Sequence, residues 1–116
     1  MLFNIVMNNR DDHVKNFSFL YDGHEWYYAP SYDLTFHNGP RGEHSMMVSK
    51  EARNPGMKEV QHLAHQHNID RKTLFSMCTQ VLDASLAWKR IAKELGVSQK
   101  TIVHIQKSLD KNRSYF

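Results

Sequence analysis

One short polar stretch, Asn9–Asn16, carries the residues whose types and spacing are best suited to chemistry. It contains two carboxylates, an imidazole, a guanidinium, an ammonium group and two amides, with a single apolar residue among them. Asp11 is followed by Asn16 after four intervening residues. A carboxylate can take a proton from a hydroxyl group, and an amide oxygen is a hard ligand that suits Mg²⁺. The same order and spacing occur in loops that transfer phosphoryl groups from ATP.

A phosphoryl-transfer site also needs a second carboxylate on the metal, supplied by a separate segment. Asp33 lies just past a predicted hairpin, where it can play this part. Asn16 and Asp33 would then hold Mg²⁺, while Asp11 stays free to meet the hydroxyl nucleophile. Lys15 could neutralise the phosphoryl group in transfer. Two alternatives stay open: a polar, solvated turn, because this spacing often arises by chance, and an unrelated Mg²⁺-dependent hydrolase.

The elements that must position these residues begin with a short apolar run at 2–6, read as the end of a buried helix or as a strand. Two aromatic, β-prone segments, 17–21 and 25–28, flank an Asp-Gly turn dipeptide and predict a β-hairpin. Its aromatic side chains are expected to serve packing rather than the stacking of nucleic-acid bases. Further along, the sequence predicts a mobile loop over 35–43 and a short strand over 45–48.

From residue 54 onward, apolar residues recur at helical spacing and predict three helices. The first is expected to begin at the Asn-Pro pair 54–55. Asp70 is expected to cap a long second helix that could continue to Leu95, and Ser98 to cap the last helix. Cys78 lies among apolar neighbours of the second helix and is expected to be a core residue.

The pattern as a whole predicts a mainly α fold with a small β-hairpin region (α+β). At 116 residues the chain is one domain by length, with the polar loop and hairpin in 1–53 and the helical part in 54–116. The formal charge of +3 permits an anionic partner without requiring nucleic acid. A single cysteine excludes an intramolecular disulfide and suits the reducing cytoplasm, and no apolar run has the length of a membrane span.

Two strings of residues carry a resemblance to a known family. They are Asn9-x-Asp11-Asp12-His13-x-Lys15-Asn16-Phe17-Ser18 and Ala29-Pro30-x-Tyr32-Asp33-Leu34. Together they closely resemble the HipA-like serine/threonine kinases of bacterial toxin–antitoxin systems. The segment 42–46 and the pattern Trp88…Ala92…Gly96-Val97 also resemble that family's C-terminal lobe. The resemblance extends over essentially the whole chain, 1–116.

The resemblance implies the C-terminal helical lobe of a protein-kinase-like fold, which transfers the ATP γ-phosphoryl group to a serine or threonine of a protein. In the characterised members of the family, the targets are aminoacyl-tRNA synthetases. By resemblance, Asp11 is the catalytic base, Asn16 and Asp33 bind Mg²⁺ and with it the nucleotide, and His13 and Lys15 support the active site.

The resemblance also implies partners. A DNA-binding, HipB-like antitoxin is the usual one. A complete family member has an N-terminal lobe that carries the phosphate-covering loop and the ATP-pairing lysine. This chain begins beyond both, so the N-terminal lobe is expected to be separate or missing, and we expect little or no kinase activity from the chain alone.

The region 88–109 offers a different function, because a turn glycine between two predicted helices is typical of helix-turn-helix DNA-binding modules. Lys93, Lys100 and Lys107 could contact phosphates there. The simpler interpretation is two packed helices whose lysines are solvated.

A metal site is conceivable at three histidines. His62 and His65 would be neighbours on a helix, with His67 close by. Exposed histidines without metal are the default interpretation, since no carboxylate or cysteine completes a ligand set nearby.

Overall fold

The computed structural model describes all 116 residues and confirms a mainly α fold with one small antiparallel sheet. It contains five α-helices and two β-strands: α1 Leu2–Val6, β1 Phe19–Tyr21, β2 Trp26–Tyr28, α2 Met57–Gln66, α3 Arg71–Leu86, α4 Trp88–Glu94 and α5 Gln99–Arg113. Two short 3-10 turns cover Val14–Asn16 and Pro40–Gly42. None of the helices combines the length and the apolar composition needed to cross a bilayer.

The helix α1 delivers the chain into the polar loop through a well-formed C-terminal cap. Asn8 adopts a left-handed conformation with φ of 57°, and its backbone N–H donates to the carbonyl of Ile5 at 3.3 Å. The N–H of Asn9 donates to the carbonyl of Asn4 at 2.8 Å. These two bonds form a Schellman motif, for which asparagine is one of the few residues suited to the left-handed position. The chain therefore leaves α1 in a fixed direction.

The predicted hairpin is confirmed, with Phe19 opposite Tyr28 and Tyr21 opposite Trp26. The Asp22 carboxylate closes the turn by accepting backbone N–H groups of the two residues beyond Gly23, at 2.8 and 3.0 Å. All six strand residues are exposed. The aromatic rings pack in pairs across the strands, with centroids 5.6 and 5.2 Å apart, and not in the core of the domain.

The core forms where α1 packs against the later helices. Its central cluster of buried apolar residues comprises Ile5, Val48, Val60, Ala64, Leu74 and Cys78. Cys78 is 3% exposed, which confirms its prediction as a core residue. Burial also raises the pKa of its thiol above the ordinary value, so the side chain is kept as the neutral thiol. A second apolar stripe on α5 includes Ile102 and Leu109, which lie almost fully buried against the rest of the domain.

The helical part contains four helices and not the three that the sequence predicted. The helix that the sequence predicted from Asp70 onward is α3, which ends at Leu86 and does not continue to Leu95. At this point the Arg113 guanidinium donates to the backbone carbonyl and the hydroxyl of Ser85, at 3.4 and 3.1 Å. The N–H of Ala87 turns back to the carbonyl of Ala84, at 3.2 Å, so the last turn is tightened and the axis breaks there.

The start of one helix and the presence of one strand were also predicted wrongly. The first long helix, α2, begins at Met57 after Gly56, and not at the Asn-Pro pair 54–55. The backbone of Gly56 approaches Tyr115 so closely that a Cβ atom would lie 2.7 Å from the Tyr115 Cβ. The strand predicted over 45–48 is absent, and only an isolated bridge between Val48 and Glu51 is formed there.

The predicted caps at Asp70 and Ser98 are both confirmed. The Ser98 hydroxyl accepts the N–H of Thr101 at 3.2 Å, which satisfies one free donor of the first turn of α5. We expect Ser98→Ala to lower the free energy of unfolding by about 1 kcal/mol. Urea denaturation would measure this, with Thr79→Ala as a control on an exposed face of α3. Equal stability of the wild type and Ser98→Ala would show that this cap adds nothing.

Candidate active-site loop

The side chains of Asn16 and Asp33, which come from two separate segments, meet in the structure. Nδ2 of Asn16 donates to Oδ2 of Asp33 at 2.9 Å and to the backbone carbonyl of Asp11 at 2.9 Å. The side-chain amide of Asn16 therefore connects Asp11, within the polar loop, to Asp33, in the segment that follows the hairpin. The sequence-based hypothesis required these two side chains to converge, and they do so. Their role as metal ligands stays a prediction.

Asp33 is held in place by its backbone as well as by its side chain. It has a φ of 54°, a left-handed conformation that is uncommon for residues other than glycine. Its carbonyl accepts Nδ2 of Asn9 at 3.3 Å. Just beyond it, a parallel bridge joins Asn9 to His37. Non-glycine residues in this conformation often lie at functional sites, because the surrounding structure must hold them there.

The hairpin is tied to the loop by Tyr32. Its hydroxyl donates to the backbone carbonyl of Lys15 at 2.6 Å and lies 2.5 Å from the hydroxyl of Ser18. The residue next to Asp33 is thus bonded to the turn that ends at Asn16. This arrangement keeps the two predicted ligands on adjoining segments.

The other three predicted site residues lie at the surface of the loop. The side chains of Asp11 and His13 are 44% and 43% exposed, and Asp11 Oδ1 lies 3.8 Å from His13 Nε2. His13 Nδ1 is buried and has no hydrogen-bond partner. Lys15 is exposed in the middle of the 3-10 turn Val14–Asn16. The structure thus gathers the five predicted residues on one short loop and the segment beside it, with Asp11 accessible to a substrate.

Asp12 and His44 form a buried pair that holds this loop on its inner side and that the sequence analysis did not single out. Oδ2 of Asp12 lies 3.0 Å from Nδ1 of His44, and the two side chains are only 3% and 1% exposed. Oδ1 of Asp12 accepts the backbone N–H groups of Ser45 and Met46, at 2.9 and 3.3 Å. An ionised carboxylate can only accept, so Nδ1 of His44 carries the hydrogen in this bond. The segment 44–46 is therefore fixed to the residue next to Asp11.

Burial raises the pKa of Asp12, but the hydrogen bond and charge of His44 and the N–H of Met46 lower it more. The net pKa lies below the ordinary value of an aspartate, so the carboxylate is ionised at neutral pH. The adjacent Asp11 differs from Asp12 in its exposure, since 44% of its side chain is accessible. Asp12 is thus a buried, structural carboxylate, and Asp11 is the accessible one of the two.

A second missed feature is a cluster of buried polar residues behind the loop. The amide oxygen of Asn8 accepts Nε of Arg10 at 3.0 Å and Nδ2 of Asn112 at 3.1 Å. Nδ2 of Asn112 also donates to the carbonyl of Ile5 at the end of α1, at 3.0 Å. A signal for Asn112 was present in the sequence, since it continues the apolar stripe of α5 one turn beyond Leu109. A polar residue on such a stripe needs a buried partner.

A cavity of about 240 Å³ opens beside this loop. Its ten lining residues are mostly apolar or aromatic and come from α1, the loop, the end of the hairpin and the segment that follows it: Met1, Phe3, Asn4, Asn9, Asn16, Phe17, Tyr28, Ser31, Tyr32 and Leu34. Because Asn16 is one of them, the apolar cavity and the polar Asn16–Asp33 pair form one continuous surface.

The alternative sites have less support. His62, His65 and His67 are all exposed, and nowhere in the chain do three or more His, Cys, Asp or Glu side chains lie together in a way that could hold a metal. The helices α4 and α5 do pack as a pair joined by a turn, and Lys93 and Lys100 are exposed. That geometry is also the one expected of two ordinary packed helices, so the helix-turn-helix hypothesis stays an untested alternative.

Fold and site together define a class of protein: a mainly helical domain with an Asp/Asn loop held against a second carboxylate behind an exposed hairpin. The model of the family described as HipA-like C-terminal domain matches residues 1–112. The chain belongs to this family. No match to the chain was found among curated proteins or among solved structures.

Proposed function

We propose that this domain is the catalytic lobe of a HipA-like kinase, which transfers the γ-phosphoryl group of ATP to a serine or threonine of a protein. The observation that carries the proposal is the 2.9 Å contact between Asn16 and Asp33, which join from two segments beside the accessible Asp11. Membership of the HipA-like family supports it independently.

The residues present fit a magnesium ion. The two oxygen atoms of Asp33 and the amide oxygen of Asn16 are hard ligands of the kind that Mg²⁺ prefers. Since N and O of one amide lie about 2.2 Å apart, given bond lengths near 1.23 and 1.33 Å, the Asn16 oxygen lies within about 5 Å of Asp33 Oδ2. Because Nδ2 of Asn16 faces Asp33 and the carbonyl of Asp11, the amide would have to turn over for both residues to bind one cation through oxygen. When bound, the ion would neutralise charge on the phosphates of the nucleotide.

The other residues have separate tasks in this proposal. Asp11 accepts the proton of the acceptor hydroxyl, for which an exposed carboxylate at the mouth of the site is suited. Lys15 places a positive charge beside the phosphoryl group. His13, 3.8 Å from Asp11, orients that carboxylate. The apolar and aromatic cavity that includes Asn16 is suited to the nucleoside of ATP, because aromatic faces stack on purines.

Membership of the family supports a proposal for the acceptor and the partner. We propose a hydroxyl of a protein, such as an aminoacyl-tRNA synthetase, as the acceptor and a DNA-binding, HipB-like antitoxin as a partner. The antitoxin would provide the contact with DNA in such a pair, so the kinase domain itself does not need a DNA-binding surface.

Binding of Mn²⁺ in place of Mg²⁺ tests the central step, because Mn²⁺ is visible by electron paramagnetic resonance. We expect the chain to bind Mn²⁺, and Asp33→Asn to weaken this binding by about tenfold or more, since one charged ligand is lost. The matched control is Asp83→Asn, which removes the same charge from an exposed position on α3. Equal binding by Asp33→Asn and Asp83→Asn would contradict the proposed metal site.

A further inference from the structure

A second cavity, of about 270 Å³, lies on the other side of the loop between the turn 38–42 and the last turns of α5. Unlike the first cavity, it has no hydrophobic lining residue. Its lining consists of Asn8, Arg10, Asn38, Gly42, Ser108, Lys111 and Asn112. None of them carries a negative charge, and two carry a positive charge. A wholly polar, cationic cavity of this kind is suited to an anion.

Several hydrogen-bond donors of this cavity have no partner within the chain. Arg10 uses Nε and Nη1 for Asn8 and for the carbonyl of Gly42, which leaves Nη2 free. The ammonium group of Lys111 and the hydroxyl of Ser108 form no hydrogen bond or ion pair. These residues line one cavity and have donors that are not used within the chain, so an anion with several oxygen atoms could accept from more than one of them.

Arg10 is the unusual member of the set, because it is only 8% exposed and forms no salt bridge. Its partners are neutral oxygens, so its charge is not compensated by a contact. Carboxylates close to the cavity in sequence are engaged elsewhere: Glu43 pairs with Arg53 at 2.9 Å, and Asp110 pairs with Arg113. The ionised carboxylate of Asp12 stabilises this charge in part without contacting it, and an anion in the cavity would stabilise it further.

The turn that closes the cavity is built tightly onto Arg10. Gly39 has a φ of 69°, and a Cβ atom there would lie 2.9 Å from the Cβ of Arg10 and 1.9 Å from the carbonyl oxygen of Glu43. The nearby Gly42 carbonyl accepts the guanidinium directly. Glycines thus let the backbone approach the arginine, which holds this side chain at the wall of the cavity.

From these observations we infer that the cavity between the turn 38–42 and α5 is a binding site for a phosphate or phosphate-ester dianion. Arg10 and Lys111 provide the charge, and Ser108 and Asn38 add neutral donors. The free Nη2 group of the guanidinium provides a charged donor for a phosphate oxygen. Since Arg10 directly precedes Asp11, occupancy of this site would also fix the backbone of the loop. Binding itself does not depend on the proposed kinase activity.

Titration with inorganic phosphate, followed by ¹H–¹⁵N NMR at constant ionic strength, tests this site. We expect saturable shifts of the Arg10 Nε–H signal and of the Gly42 and Lys111 amides. Lys111→Glu should weaken binding by about tenfold or more, which corresponds to about 1.4 kcal/mol. Lys72→Glu is the control, because it makes the same charge change at an exposed residue at the start of α3, outside the cavity. We expect less than about a twofold change for it, as for a screened surface charge.

Parallel titration with O-phosphoserine shows whether the site prefers free phosphate or a phosphate ester. Tighter binding of the ester would favour a phosphorylated side chain as the natural ligand, and tighter binding of the free ion would favour phosphate itself. Shifts that do not saturate, or equal losses in the two lysine variants, would overturn the inference. Because Mn²⁺ binding at Asn16 and Asp33 is measured separately, failure here leaves the proposed function intact.

Discussion

Asp12→Ala is expected to lower the free energy of unfolding by about 3 kcal/mol or more. The substitution leaves the imidazole of His44, whose side chain is only 1% exposed, without its partner in the interior. It also removes the acceptor of the backbone N–H of Met46, whereas the N–H of Ser45 keeps the carbonyl of Arg10 as a second acceptor at 3.0 Å. Each buried donor left without a partner costs about 1–3 kcal/mol. Urea denaturation followed by circular dichroism measures the change.

Asp83→Ala is the control for this experiment, since it removes an exposed carboxylate and should change stability by no more than about 0.5 kcal/mol. A double-mutant cycle with His44→Ala isolates the pair itself. We expect the two substitutions together to cost clearly less than the sum of the separate costs, because either one alone leaves a buried partner unpaired. Additive losses would show that Asp12 and His44 are not energetically coupled.

The same pair predicts how stability depends on pH. The folded state lowers the pKa of Asp12 below its ordinary value. Such a group stabilises the folded chain above the pKa of the unfolded state, near about 3.9, and this stabilisation is lost as the pH falls through the folded-state value. The wild type should therefore lose more stability than Asp12→Ala between about pH 5 and pH 2. Parallel curves for the two proteins would contradict this account.

The sequence was sufficient for the features that depend on local chemistry. The Asp-Gly dipeptide predicted the hairpin, and Asp70 and Ser98 were recognised as caps, because turns and caps are decided within a few residues. The convergence of Asn16 with Asp33 was expected from a motif, which carries information that local propensity does not.

The errors arise where distant residues decide the local structure. The helix α3 ends at Leu86, close to the point where Arg113 donates to Ser85, which lies 28 residues before it in the chain. Likewise, His44 pairs with a residue 32 positions before it, and no local pattern specifies that contact. The exposure of the hairpin was not foreseen either, since aromatic strands of this kind are usually half-buried.

A still more distant contact, made by the side chain of Asn112, joins the two ends of the chain. Asn112, near the end of α5, reaches back to Ile5 and Asn8 at the front of the chain, a separation of 104 residues or more. Its amide satisfies a carbonyl at the end of α1 and holds Asn8, whose own amide donates to His37 and Asn38. One buried side chain therefore connects the last helix to both segments that form the candidate site.

We expect Asn112→Ala to lower the free energy of unfolding by about 2–3 kcal/mol, since it removes two buried hydrogen bonds worth about 1 kcal/mol each and the packing of a buried side chain. Asn54→Ala, at an exposed asparagine, is the matched control and should leave stability within about 0.5 kcal/mol of the wild type.

Hydrogen exchange of the Asn8 and Asn9 amides separates a local role of Asn112 from a general loss of stability. If Asn112 positions the loop, exchange of these two amides should accelerate more than exchange in the centre of α3, which reports global unfolding. Uniform acceleration at both places would mean that Asn112 stabilises the fold without fixing the loop. A specific effect would mean that the last helix holds Asp11 and Asn16 in place through Asn8, because the loop begins directly after that residue.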